Sequence, residues 1–206
     1  QEISDWALEQ AYANFAELLE NGDTQAEKLY DEFQEFNKEN DYWLDYYSVL
    51  STISDKYGTD FYPNWSEHDR ELISRVKKGD KAAIQEYNQI KEDKDYEIDL
   101  YKFKQFIIDK QSKADDENRG NFVYISDLLV GASSFDELIF QDAFLKQYKI
   151  GAEEGGYPFN SPQLWNISII DPNKIFNKDG SLAEGGKFIQ MKVQKAIQDA
   201  SNIRID

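Results

Sequence analysis

Two acids stand where a carboxylate can work on a substrate. Asp127 follows the run Val-Tyr-Ile-Ser and Asp206 follows Ile-Arg-Ile, and both runs are β-rich. In the last six residues, SNIRID, apolar and polar positions alternate with the period of a half-buried strand. Arg204 precedes Asp206 by two positions, so a strand there puts the two side chains on one face. In α/β barrels the working side chains sit at the C-terminal ends of strands. Paired carboxylates at such ends suit glycosyl transfer, in which one attacks the anomeric carbon and the other protonates the leaving oxygen. Taken singly, Asp127 serves equally well as a strand-ending turn residue, and Asp206 alone is uninformative.

A second set of candidates lies in residues 149–172, rich in Gly, Pro and Asn and read as one long loop of the kind that carries function. Tyr157 and Trp165 flank the polar, charge-poor run PFNSPQL. Flat aromatic faces cover the apolar C–H surface of sugars, while amides such as Gln163, Asn160 and Asn166 bond hydroxyls. The other role open to Trp165 is to plug the loop onto the core.

The elements that must position these residues divide at about Lys113. Residues 1–113 read as a helical subdomain plus a helix leading onward. Ser4 or Asp5 caps a helix stopped by Gly22, Thr24 opens a second, and a third runs between Asn40 and Gly58. Ser66 caps another, and Asp80 begins one long helical segment to Lys113. Residues 114–206 read as strand, loop, helix, long loop, helix and strand. Their elements are a buried parallel strand in FVYISDLL, a helix over SFDELIFQDAFL capped by Ser133 or Ser134, and a final helix with a Ser181–Glu184 capping box. This grammar predicts an α/β fold: a partial (β/α)8 barrel of about two parallel strands, with a large helical subdomain on its N-terminal side. A complete barrel has eight strands and typically about 250 residues, so the chain is too short to close one.

Composition narrows the function classes. With 40 acids against 23 bases in 206 residues the net charge is −17, which repels nucleic-acid phosphates and anionic membrane, so neither is expected as a partner. Hydrophobic residues at 40% and aromatics at 15% suffice for a real core. There is no cysteine, hence no disulfide framework or thiolate metal site, and His68 lies in the charged run SEHDRE, as a solvated surface residue does. No metal site is expected. No apolar run approaches the roughly 18 residues of a membrane span. The chain opens on QEISDW, without a start methionine or signal-peptide pattern, which predicts a cytoplasmic protein and a piece of a longer polypeptide.

The ordered series of segments resembles the 4-α-glucanotransferases (amylomaltases, disproportionating enzymes) of glycoside hydrolase family 77. FQEFNKENDYWLDYY resembles the family's F-x-x-F-x-x-x-N-x-x-W-L helix with its following D-Y. YKFKQFIIDKQ is similar to its aromatic helix before a strand ending in G-D-L-P, here YISDLL. GAEEGGYPFNSPQLW resembles G-A-P-P-D-x-F-x-x-x-G-Q-x-W-G, and IRID resembles the approach to R-I-D-H. The likeness runs from about Phe33 to Asp206 and is weak before that.

The resemblance implies a cofactor-free transfer of α-1,4-glucan between maltooligosaccharides through a covalent glycosyl-enzyme. Asp206 falls on the nucleophile and Arg204 on the arginine that bonds it, where a guanidinium favours the charged carboxylate. Asp127 falls on the acid of G-D-L-P beside the sugar subsites. Tyr157 and Trp165 fall on aromatics of the loop that closes over glucan, with Gln163 beside them. Ser126 replaces the glycine and Leu129 the proline of G-D-L-P, AEEGG replaces A-P-P-D, and WNIS replaces W-G-x-P. The general acid/base glutamate and a third aspartate follow R-I-D-H in the family. The expectation is therefore a chain holding the nucleophile and part of the glucan cleft, inactive by itself, with the remainder of the parent polypeptide as its partner. The alternatives are a non-catalytic α-glucan-binding or structural module derived from the family, and an acidic helical interaction domain unrelated to sugars.

Overall fold

The computed structural model describes residues 2–118, 125–128, 133–152, 163–199 and 202–205. Five helices come first: α1 (Glu2–Glu20), α2 (Thr24–Tyr57), α3 (Glu67–Lys77), α4 (Lys81–Asp93) and α5 (Asp95–Asn118). Then follow β1 (Ile125–Leu128), α6 (Ser134–Ile139), β2 (Phe144–Ala152), β3 (Gln163–Ile170), α7 (Glu184–Asp199) and β4 (Asn202–Ile205). The described chain is mostly helical. Its strands form an antiparallel pair, β2 with β3, and a short parallel pair, β1 with β4. A barrel is not seen among the described residues.

The helix ends follow local chemistry. The Asp23 carboxylate accepts from the backbone N–H groups of Gln25 and Ala26, both at 2.9 Å, and so caps α2. At its other end Gly58 takes φ 64°, the left-handed conformation that glycine adopts without penalty, and Thr59 N–H returns to Ser54 O. Ser66 and Asp80 cap α3 and α4 as expected.

Several boundaries in the helical half differ from expectation: α1 starts at Glu2, ahead of the expected caps Ser4 and Asp5, and α5 runs past Lys113 to Asn118. The second and third predicted helices are one continuous α2, because buried Asn40 is fully used inside the helix. Its amide donates to Phe36 O and its carbonyl accepts from the Trp43 indole, both at 2.9 Å. Conversely, the long segment from Asp80 breaks at Lys94, which leaves helical geometry (φ −124°) and separates α4 from α5. The break lets α4 pack on α3 while α5 follows α2.

Phe103 of α5 sits at the centre of the helical core. Its ring centroid lies 5.2 Å from both Tyr12 and Phe15 of α1 and 5.9 Å from Phe33 of α2. The same apolar cluster continues through Val49, Leu50, Leu72 and Ile73 to Leu138, Phe144, Ile170, Phe188 and Met191. The residues on either side of Lys113 thus share one core.

Polar ties fasten the helices where apolar surface runs out. Asp45 of α2 receives Lys91 Nζ of α4 at 2.8 Å, Lys102 Nζ of α5 at 3.0 Å and the Tyr87 hydroxyl at 2.7 Å. Burial raises its pKa, but the hydrogen bonds from Lys91, Tyr87 and Lys102 outweigh this and hold it below the usual carboxylate range. A folded-state pKa below the unfolded one adds stability above the unfolded value, lost as pH falls through the folded value. Asp45→Asn should therefore cost roughly 1.5–3 kcal/mol at pH 7, the worth of a hydrogen bond to a charged group. Urea unfolding at pH 7 and at about pH 3 checks this: the gap between wild type and variant should narrow at the lower pH.

Candidate functional site

β1 and β4 run side by side in the same direction, with Ile125, Ser126, Asp127 and Leu128 as Cα partners of Asn202, Ile203, Arg204 and Ile205. Asp127, expected to follow its strand, is instead the third of the four residues of β1, and it is the Cα partner of Arg204 across the ladder. Helix α7 packs against both strands. Parallel pairing gives the strands a common C-terminal end, the side on which Asp206 follows β4 in the sequence. Asp206 itself lies outside the described residues.

The expected loop over 149–172 is corrected. β2 extends to Ala152 and β3 begins at Gln163, with Ala152↔Gln163, Ile150↔Ile167, Lys149↔Ser168 and Phe144↔Ile170 as partners. The expected helix over SFDELIFQDAFL is likewise cut short: α6 ends at Ile139, and Phe144 already belongs to β2. The reason is burial on the sheet. Phe144 and Ile170, paired across β2 and β3, are both buried, and Phe144 meets Phe188 of α7 edge-on at 5.0 Å. Gln163 opens β3 and Trp165 lies two positions along it. Tyr157 and Asn160 lie outside the described residues.

The structure adds a polar cluster missing from the sequence reading. Asp136, in the first turn of α6, has none of its surface exposed. Its Oδ2 accepts from Ser133 N–H, Ser133 Oγ and Lys192 Nζ of α7, each at 2.9 Å, and its Oδ1 accepts from the Tyr47 hydroxyl of α2. Ser133 and Asp136 form a reciprocal capping box. Burial, then the Asp136 charge, pushes the Tyr47 hydroxyl far above its ordinary pKa, and the same two causes push Tyr101 to about 12. The Tyr47 hydroxyl thus stays protonated at neutral pH and donates to Asp136. The Ser-x-x-Asp spacing was a legible sign of the box; nothing local pointed to Lys192 or Tyr47.

The predicted box at Ser181 does not form. The Ser181 hydroxyl donates to Asp179 at 2.7 Å and receives the Asn177 amide at 3.0 Å, within a turn that pairs Phe176 with Leu182. The helix starts at Glu184 instead, with Gly185 and Gly186 pressed onto the turn over 172–175. A Cβ on Gly186 would stand 2.3 Å from Ile175 O. Glu184 ties this end of α7 to α3 through Lys77 Nζ at 2.8 Å.

Elsewhere, His68 is exposed and pairs with Glu86 at 2.6 Å. Those two residues and Asp69 bring ligand-type atoms within 4.8 Å of one another. The Asp69 carboxylate is already engaged by Lys56 Nζ at 2.9 Å and the Tyr57 hydroxyl at 2.5 Å, so a cation is in place there. Among the described residues no helix is long and apolar enough to cross a membrane.

The sequence model of glycoside hydrolase family 77, described as 4-alpha-glucanotransferase, matches residues 3–206. The chain belongs to that family. The match reaches well before Phe33 and takes in α1, so the helical half belongs to the family as fully as the β1–β4 half. No curated protein matches the chain. β1 carries Asp127 and Leu128, and beside it β4 carries Arg204 and Ile205.

Proposed function

We propose that the protein carrying this chain transfers α-1,4-glucan segments between maltooligosaccharides by a retaining double displacement. The observation that carries the reading is the family match over residues 3–206, which includes the Arg204-x-Asp206 ending. In this reading an Asp206 carboxylate oxygen attacks the anomeric carbon, the bond to the departing glucan's 4-oxygen breaks, and that oxygen takes a proton from an acid. The 4-hydroxyl of a second glucan then attacks the same carbon, gives up its proton, and frees Asp206. The family's proton donor follows R-I-D-H and so falls outside residues 1–206. No cofactor takes part.

Arg204 keeps Asp206 charged, and Asp127, its ladder neighbour, bonds sugar hydroxyls. Tyr157 and Trp165 cover sugar faces, and Gln163 bonds a hydroxyl. β1 and β4 are two neighbouring strands of the parent barrel within residues 114–206, and residues 1–113 form the helical subdomain beside it. The alternative reading, a glucan-binding module without turnover, is favoured by Ser126 and AEEGG, where the family has its glycine and A-P-P-D.

Incubation with maltotriose separates the two. Transfer yields glucose together with longer oligomers at an unchanged number of glycosidic bonds. Retention on immobilised glucan with no such ladder establishes the module instead. Trp165→Ala should weaken maltooligosaccharide binding by roughly 1–3 kcal/mol, by analogy with the stacking of a base on an aromatic ring. Titration calorimetry checks this; equal affinity returns Trp165 to the core.

A further inference from the structure

The proposed chemistry makes no use of Asp136, yet its carboxylate is fully withdrawn from water. The capping box of α6 needs only Ser133 and Asp136. Two further donors arrive from distant parts of the chain, Tyr47 of α2 and Lys192 of α7. A buried carboxylate persists only when such partners hold it, and the bonds are directional, unlike the apolar contacts around them.

The place of the cluster gives those directions a consequence. α6 is the first helix after β1, and Ser133 follows Leu128 by five positions. α7 is the helix before β4, and its last residue, Asp199, precedes Asn202 by three. The Asp136–Lys192 bridge therefore joins the segment leaving β1 to the helix entering β4, and Tyr47 fixes the bridge to the helical half. Lys192 also lies over the Phe188 ring at 5.4 Å, and Phe188 is buried against Phe140 and Phe144. The bridge is thus seated on the core.

We propose that Asp136, held by Lys192 and Tyr47, is a positioning residue that sets how β1 stands against β4, and so the register that pairs Asp127 with Arg204 on the strand before the nucleophile. Its effect on catalysis rests on the glucan-transfer reading above; its effect on the ladder does not.

Lys192→Met tests both parts, since this side chain is partly exposed and its apolar stem is retained. In hydrogen exchange of the full protein, amides of β1 and β4 should exchange about ten-fold faster, with α1–α5 and the β2–β3 pair unchanged. In transfer assays kcat should fall about 10- to 100-fold, as for a reacting group displaced by a fraction of a residue, with KM within about two-fold. Lys192→Arg, which keeps a cation, should restore most of both. Unchanged exchange in β1 and β4, an equal rise everywhere, or wild-type kcat in a folded Lys192→Met overturns the proposal. Should Lys192→Met fail to fold, Tyr47→Phe is read by the same two measurements and the same outcomes. If the wild-type protein transfers no glucan, the activity reading fails by itself, and the exchange pattern still decides the positioning of β1 against β4.

Discussion

Replacing Asp206 with asparagine should lower glucan transfer by at least about 10³-fold while leaving maltooligosaccharide binding within about two-fold. An amide has almost the shape of a carboxylate and keeps its hydrogen bonds to hydroxyls. It is neutral and a poor nucleophile, so the covalent intermediate does not form. The separation of the two effects matters more than the size of either. Loss of binding and turnover together would mean a disturbed cleft, and unchanged turnover would remove Asp206 from the chemistry. Arg204→Ala should behave in the same direction but less severely, because the carboxylate then loses the cation that favours its charged form. The assay is initial-rate disproportionation of maltotriose, with calorimetric binding measured on the same preparations.

The second large effect is on stability. Phe103→Ala should destabilise the protein by about 3–5 kcal/mol, the range for removing a buried aromatic ring from a packed core. Phe103 is 2% exposed, and its ring contacts come from three helices: Tyr12 and Phe15 of α1, Phe33 of α2, and Phe106 of α5 itself. The cavity left behind cannot collapse easily, since the surrounding rings are held by one another, as in the Phe33–Phe106 and Phe36–Phe106 contacts at 5.5 and 5.6 Å. Chemical denaturation of the two proteins under one set of conditions gives the difference. A loss below about 1 kcal/mol would show that α1 is not anchored through this ring.

What the sequence made legible divides along physical lines. Caps are local, and Ser66, Asp80, Ser133, Gly22 and Gly58 were all read from a few neighbouring residues. The continuity of α2 through Asn40 was not, because asparagine stops helices elsewhere and is tolerated here only through its bonds to Phe36 and Trp43. Nor was the break at Lys94, which contains neither proline nor glycine and follows from α4 and α5 packing on different partners. β3 was hidden for a different reason. Its β-branched and aromatic run, WNISII, carried the signal, but the proline and asparagines beside it drew the whole stretch into a loop. Ser181 shows the converse error: a correct capping-box spacing was outbid by a turn that uses the same hydroxyl.

The candidate site shows the same division. Alternation and residue type marked the runs around Asp127 and Arg204 as strands, and both residues lie in strands; Asp206 lies outside the described residues. That Asp127 and Arg204 are ladder partners was not legible, since pairing between strands about 75 residues apart is a matter of register and not of local pattern. Asp136 was half legible: its spacing from Ser133 is a sequence signal, while its burial under Lys192 and Tyr47 exists only in the fold.

The most direct test of the central claim is to trap the covalent intermediate. A fluorinated maltosyl fluoride carries a leaving group that departs without a proton, so glycosylation needs the nucleophile but not the general acid. Intact-mass and peptide mass spectrometry after incubation should show one fluoromaltosyl adduct, on the peptide containing Asp206, and none on the Asp206→Asn variant. An adduct elsewhere, or no adduct on a protein that still transfers glucan, would contradict the account.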